Sequence, residues 1–305
     1  MGKPKVIVIE GPTASGKTAL SIELAKQIQG EIVSADSMQI YQEMNIGTAK
    51  PTAEEKQGIP HYVMDFVKPD ERFSVAQFQK EAKQAIEIIL AKGKVPIVVG
   101  GTGLYIDTLI YEITYPELEI DLAYRRQLEK RIQEEGLEEL YKQAMSIDPE
   151  AMQKISSHDQ KRILRVLEIY HQTGKTKTQL EIESRSHEIP YDYHVFALQW
   201  NREILYERIN QRVDNMIETG LIEEVENLWK KYQNFPTALQ GLGYKEVVSY
   251  LRGKVTKEEM IDILKRETRR YAKRQMTWFR KNKEVIWLEG SKQVQDNIAI
   301  ILEEI

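Results

Sequence analysis

Lys5-Val6-Ile7-Val8-Ile9-Glu10-Gly11-Pro12-Thr13-Ala14-Ser15-Gly16-Lys17-Thr18 is the stretch that decides the fold. Its first six residues form a short β-branched run that predicts a buried strand, and Gly11-Pro12 ends it. Residues 11–18 match G-x-x-x-x-G-K-[ST] in full. With average residue usage, a chance match somewhere in 305 residues is about one per cent. A helix-forming run, Ala19 to Gln27, comes next. Strand, glycine loop and helix in that order predict a P-loop. Its glycines let the backbone wrap until successive N–H groups converge on phosphate oxygens at a helix N-terminus. Gly11, Thr13, Ala14, Ser15, Gly16, Lys17 and Thr18 are the expected phosphate-binding residues. Lys17 adds a mobile positive charge, and Thr18 is the expected metal ligand, offering its hydroxyl to Mg²⁺. The motif identifies a polyphosphate site, not ATP in particular.

Outward from this stretch, Glu31–Ala35, His61–Val67 and Val95–Val99 read as further short strands. Ser74–Lys92 is an amphipathic helix opened by the capping box Ser74-x-x-Gln77 and stopped by Gly93. Gly100-Gly101-Thr102-Gly103 is a second glycine-rich turn from strand to helix, and it suggests two helix N-termini facing one anion. From about Asp121 to Arg185 strand runs vanish and charged helical patterns take over; strands return at His194–Trp200 and Val285–Leu288. The expected architecture is α/β: a P-loop NTPase-like parallel-sheet core, residues 1–120 and 191–305, interrupted by an all-helical insertion domain, residues 121–190.

The chain is 41% apolar and 30% charged, ordinary for a globular protein, and no apolar run approaches the roughly 18 residues of a membrane span. There is no cysteine, which excludes disulfides, thiol catalysis and Cys-based metal sites and fits a cytoplasmic protein. The five histidines lack paired metal-ligand spacing, and Trp200, Trp229 and Tyr232 read as core. A net charge of −4 argues against nucleic acid only as an average, because residues 265–283 hold nine basic residues and one acid, Glu267. On a helical wheel Arg266, Arg269, Arg270, Lys273, Arg274, Arg280 and Lys281 fall within an arc of roughly 140°, with Leu264, Tyr271, Ala272 and Phe279 opposite. A single-sign face of that size repels itself unless a polyanion covers it, and RNA suits it better than duplex DNA because no helix-turn-helix or zinc-finger pattern is present. Asp36, just past the second strand, could hold Mg²⁺, accept a proton or cap a helix.

Together, Gly11–Thr18, Asp36-Ser37-Met38-Gln39-Ile40-Tyr41, Gly47-Thr48-Ala49-Lys50-Pro51, Gly100–Tyr105 and Gly241-Leu242-Gly243-Tyr244 with the basic helix closely resemble the tRNA dimethylallyltransferases, in order along nearly the whole chain. The lack of cysteine sets it with the short bacterial members, not those with a C-terminal zinc finger. The resemblance implies transfer of a dimethylallyl group from dimethylallyl diphosphate to N6 of adenosine 37 of tRNA with Mg²⁺, and it makes the phosphate loop a diphosphate site. It implies that Asp36, Thr102 and Arg125 are catalytic, with Arg126 competing for the arginine's place. It further implies tRNA contacts at Asp36, Ser37, Met38, Gln39, Gln160, Lys161, Arg162, Arg165, Gly241, Gly243, Tyr244, Lys245, Arg270, Lys273, Arg274 and Arg280. The alternative reading of the P-loop is a small-molecule or nucleotide kinase; the +8 helix has no use in one, and no arginine-rich lid sequence is evident. A monomer is expected.

Overall fold

The computed structural model describes residues 2–115, 121–184, 188–232, 235 and 237–305. The chain divides into two compact units, Met1–Ile110 with Ile189–Ile305, and Tyr111–Glu188. The sequence reading placed these borders near 120/121 and 190/191.

The larger unit is built on β1 (Lys5–Glu10), α1 (Lys17–Ile28), β2 (Gly30–Ala35), a one-turn α2 (Ala53–Lys56), β3 (His61–Tyr62), α3 (Val75–Ala91), β4 (Val95–Gly100) and α4 (Gly103–Ile110). The smaller unit contributes α5 (Leu122–Glu135), α6 (Leu137–Ile147), α7 (Pro149–Met152), α8 (Gln160–Thr173) and α9 (Lys177–Ser184). The larger unit resumes with β5 (Asp192–Gln199), α10 (Arg202–Glu218), α11 (Leu221–Lys231), α12 (Tyr244–Leu251), α13 (Lys257–Phe279), β6 (Ile286–Glu289) and α14 (Val294–Glu303).

The six strands form one parallel sheet in the order β3-β2-β4-β1-β5-β6. Helices cover both faces, so strand residues are apolar in both registers. Val6 and Val8 pack with Ile106 and Leu109 of α4 on one face, while Ile7 and Ile9 pack with Leu20 and Leu24 of α1 on the other. Because α1 and α4 leave neighbouring strands toward opposite faces, β1 and β4 bound a topological switch point, where such sheets hold ligands. Register makes this local: Glu10 pairs with Gly100, and Gly100 with Ala35, so Gly11, Gly101 and Asp36 leave the sheet side by side.

Two elements differ from expectation. β3 stops at Tyr62 because Val63 and Asp65 adopt left-handed backbone (φ 58° and 61°), and Val67 keeps only an isolated bridge to Tyr41. The basic helix ends at Phe279, with Arg280 as its C-cap and Lys281 folded back over the Trp278 ring, 4.3 Å from its centroid. The two capping boxes read from sequence, Ser74 with Gln77 and Thr256 with Glu259, are formed; an N-cap of this kind is worth about 1 kcal/mol. The smaller unit has its own core, including Leu128, Leu140, Ile163, Leu164 and Leu167. Among the described residues no helix is long and apolar enough to cross a membrane.

Candidate active site

The first glycine loop turns on two left-handed residues, Ala14 (φ 63°) and Gly16 (φ 90°). α1 begins with no side-chain cap at Gly16, unlike α3 and α13. The N–H groups of its first turn are thereby left to an external acceptor. The loop itself is braced from outside. Trp200 Nε1 donates to Ser15 O (2.9 Å), Arg208 Nε donates to Ala14 O (2.9 Å), and Thr13 N donates to Gln275 Oε1 (3.0 Å). Thr13 and Ser15, expected as phosphate ligands, have their N–H groups committed to Gln275 and to Pro12 O. Among the described residues, the amides of Ala14 and Gly16–Thr18 carry no such bond.

A cavity of about 320 Å³ adjoins this loop, lined by Thr13, Lys17, Thr18, Asp36–Gln39, Gly47–Ala49, Arg212, Gln240–Lys245, Tyr271, Arg274 and Gln275 among others. A second cavity of about 550 Å³ shares Lys17, Thr18, Ala49 and Arg212 with it. Burial, and then the Arg212 guanidinium, push the Lys17 amine down to about 8, opposed by the charge of Asp36. Arg212 is lowered by burial against the same Asp36, and its Nε is buried without a hydrogen-bond partner among the described residues. Two cations therefore share one partly dry pocket, where Asp36 acts on both and Glu55 on Arg212. A doubly or triply charged anion suits that electrostatic arrangement.

Asp36 is half-buried, and its Oδ1 accepts from Met38 N (2.9 Å) and Gln39 N (3.3 Å). It caps a turn, then, but with one oxygen. Oδ2 has no hydrogen-bond partner among the described residues, which leaves it able to take a proton. Ser37 N donates to Thr102 Oγ1 (3.0 Å), and Gln39 Nε2 donates to the carbonyls of Thr48 and Ala49 (both 3.2 Å). The facing loop is held by Glu224, whose carboxylate accepts from the N–H groups of Asn45 (2.9 Å), Ile46 (2.7 Å) and Gly47 (3.1 Å) and from the Tyr244 hydroxyl (2.7 Å). Tyr244 is fully buried, its ring fills the space beside Gly47, and it forms part of the cavity wall. Gly241 packs on Met38, and Gly243 takes left-handed backbone (φ 92°).

The glycines of the second loop are packed tightly against protein. A Cβ on Gly100 would lie 2.1 Å from Ala35 O, on Gly101 2.3 Å from Gln275 Nε2, and on Gly103 2.2 Å from the Trp278 ring. These glycines exist to admit protein, and Thr102 lines neither cavity. Thr102 touches the site through Ser37 and through the Tyr271 hydroxyl. Below the first loop, Glu10 is buried beside Asp107; burial first, then that neighbour's charge, raise its carboxyl to about 8, so it is neutral at pH 7.

The basic helix divides its charges. Glu267 takes Arg270 (2.7 Å) and Arg266 (3.2 Å), Asp214 takes Lys265 (2.6 Å), and Arg269 donates to Asn210. Arg274, expected on the outer face, sits over Tyr271 and lines the cavity, as Tyr271 does. Lys273 and Arg280 are exposed. In the helical unit, Gln160, Lys161 and Arg162 are exposed at the start of α8, which Asp159 caps, and Arg165 lies 3.7 Å from Glu168. Arg125 pairs with Glu168 (3.4 Å) and Glu129 (3.7 Å) within that unit, and Arg126 donates to Leu122 O.

Sequence reasoning missed Arg212, Gln275, Glu224, Arg208 and the hydrogen bond made by Trp200. Gln275 had a signal: it is the one amide on the buried stripe Leu264, Thr268, Ala272, Gln275, Phe279. A polar residue on such a stripe is paired with something. Arg212 had none, being one more arginine in a charged helix.

A sequence profile of the IPP transferase family matches residues 39–282. The tRNA dimethylallyltransferase of Acetivibrio thermocellus is 52% identical over 296 residues, covering 97% of this chain and 95% of that protein. The crystal structure of the tRNA isopentenylpyrophosphate transferase of Bacillus halodurans is 42% identical, with a TM-score of 0.74, covering 99% of this chain and 95% of that one. A eukaryotic dimethylallyltransferase, solved in crystallographic snapshots of its action on tRNA, is 33% identical, with a TM-score of 0.80 over 99% of this chain and 79% of that one. These relatives are named for prenyl transfer and not for phosphoryl transfer. The agreement runs through sequence, profile and three-dimensional form alike, and the chain belongs to the IPP transferase family.

Proposed function

We propose that this protein transfers the dimethylallyl group of dimethylallyl diphosphate to N6 of adenosine 37 in tRNA, on a core of the P-loop type. The observation that carries the proposal is the single cavity in which Lys17, Thr18 and Arg212 stand opposite a carboxylate, Asp36, with one oxygen uncommitted. Cations and helix amides are what a leaving diphosphate needs as its negative charge grows. A fixed carboxylate is what a weakly nucleophilic exocyclic amine needs. In the step itself, N6 attacks C1 of the allylic group, the C1–O bond breaks with its electron pair going to diphosphate, and the N6 proton passes to Asp36 Oδ2.

No three carboxylates or imidazoles gather among the described residues, so a protein-only metal cage is absent there. The donors do fit Mg²⁺, which is commonly held by few protein ligands together with phosphate oxygens and water. Thr18 Oγ1 would hold it, and it would neutralise charge on the diphosphate. The target adenosine is turned out of its loop to reach the cavity. Arg274 and Tyr271 at the cavity, with Lys273, Arg270 and Arg280 outside, would meet the RNA backbone. Gln160, Lys161, Arg162 and Arg165 would grip the anticodon arm, and Arg125 keeps the catalytic role the resemblance gives it. The cytoplasm, where tRNA is modified, is the proposed location, and a monomer the proposed state.

The test is a three-component incubation of protein, Mg²⁺ and anticodon stem-loop RNA with labelled dimethylallyl diphosphate or labelled ATP. Label passing from the prenyl donor to RNA is expected. Phosphate passing from ATP to an acceptor would replace the proposal with the kinase reading.

A further inference from the structure

We propose that Gln275 is a positioning residue for prenyl transfer: it sets the spacing between the two glycine loops and ties both to the RNA-facing helix α13. The proposal rests on the function proposed above. Gln275 is buried, and each end of its amide is spent on a different loop. Oε1 accepts from Thr13 N (3.0 Å) in the phosphate loop, and Nε2 donates to Gly101 O (2.8 Å) in the second loop. No other side chain on α13 makes two such bonds among the described residues. A planar amide has a fixed width, so it acts as a gauge between the two backbones.

What each loop carries makes the gauge matter. Four residues beyond Thr13 is Lys17, and one residue beyond Gly101 is Thr102, whose hydroxyl accepts from Ser37 N beside the Asp36 carboxylate. The separation that Gln275 sets is therefore the separation between diphosphate and base. Arg274 and Tyr271, on the same helix, line the cavity, while Arg270 and Lys273 are exposed on its outer side. Truncating Gln275 leaves that outer face intact. The defect belongs in the rate of the bound complex, with RNA affinity preserved.

The close approach at Gly101 gives the experiment a specific form. A Cβ there would lie 2.3 Å from Gln275 Nε2, whereas its next protein neighbour, Gly11 O, is at an ordinary 3.4 Å. Gly101→Ala should therefore dislodge the amide and reproduce the loss of Gln275. With Gln275→Ala already present, the same methyl enters vacated space. The full chain, Gln275→Ala, Gly101→Ala and the double variant are compared in three measurements: the single-turnover rate at saturating RNA and dimethylallyl diphosphate, RNA affinity by fluorescence anisotropy, and affinity for magnesium pyrophosphate by calorimetry. Each single variant is expected to lose 30-fold or more in rate and about tenfold in pyrophosphate affinity, with RNA affinity within twofold. The double variant should be no slower than Gln275→Ala alone. Multiplicative losses in the double variant, unchanged rate and pyrophosphate affinity in Gln275→Ala, or a loss of RNA affinity equal to the loss of rate would each overturn the proposal. If the unaltered protein fails to prenylate RNA, the function falls, and the pyrophosphate arm still decides on Gln275: a tenfold loss supports the gauge, and no loss removes it.

Discussion

The two glycine loops look alike as sequence, each a strand end, a cluster of glycines and a helix, yet they differ in what occupies the space over the glycines. In the first, Gly16 has left-handed backbone and its nearest non-neighbouring atom is Arg208 Nη2 at 3.8 Å. In the second, none of the three glycines is left-handed, and Ala35, Gln275 and Trp278 press within 2.1–2.3 Å of where each Cβ would stand. The first loop uses Gly16 for a conformation beside the cavity and Gly11 for a close approach to Ser15; the second uses all three of its glycines for close approach and keeps protein against protein. A glycine motif thus names a backbone requirement, and only the neighbours say whether a ligand or a side chain exploits it.

The largest effects should separate chemistry from bracing. Asp36→Asn keeps the Oδ1 acceptor for Met38 and Gln39 and removes the base, so the single-turnover prenyl-transfer rate should fall about 10²- to 10⁴-fold with RNA affinity unchanged. Thr102→Val deletes the acceptor for Ser37 N and should cost about 1–2 kcal/mol in the same rate, roughly 5- to 30-fold. Equal losses from the two would break the contrast and put Thr102 on the reacting atoms.

A smaller pair of effects tests the glycines directly. Gly103→Ala must push the Trp278 ring from its bond to Asp107, and about 1–3 kcal/mol of stability should go with it. Gly16→Ala meets only Arg208 Nη2 at an ordinary 3.8 Å but pays about 1–2 kcal/mol for left-handed backbone at the proposed phosphate site. Thermal melts and pyrophosphate calorimetry should therefore rank the two in opposite orders, Gly103→Ala losing more in melting temperature and Gly16→Ala more in affinity. The same order in both measurements would erase the distinction between the loops.

What could be read in advance follows the same division. Strand β1, the first loop and the capped helices α3 and α13 are local patterns, each set by a few adjacent residues, and they stand where the sequence put them. β3 was overextended because Val63 and Val67 look like strand residues, and nothing local announces left-handed backbone at Val63 and Asp65. Glu224 reaches the Asn45–Gly47 amides across 177–179 positions, and Gln275 reaches Thr13 across 262. Contacts of that span leave only the faint trace of a polar residue on an apolar stripe. The basic helix was legible as charge but not as partition, since Glu267 and Asp214 neutralise part of the face and Arg274 turns to the cavity.

The mildest test uses pH to ask whether Lys17 and Arg212 share one field at the first loop. Lys17 in the free protein is held near 8, first by burial and then by the Arg212 charge. Below that pH the amine is protonated and attracts pyrophosphate; above it the amine is neutral, so affinity should decline by up to tenfold per pH unit as pH rises through 8 and beyond. Removing a positive neighbour removes one of the forces lowering Lys17, so in Arg212→Ala the midpoint of that decline should move to higher pH, even though affinity is weaker throughout. The ligand's own protonation is common to both proteins and cancels in the comparison. A midpoint that stays where it was, or moves down, would mean that the two cations do not act on a common anion, and the phosphate site would then belong to the loop and Lys17 without α10.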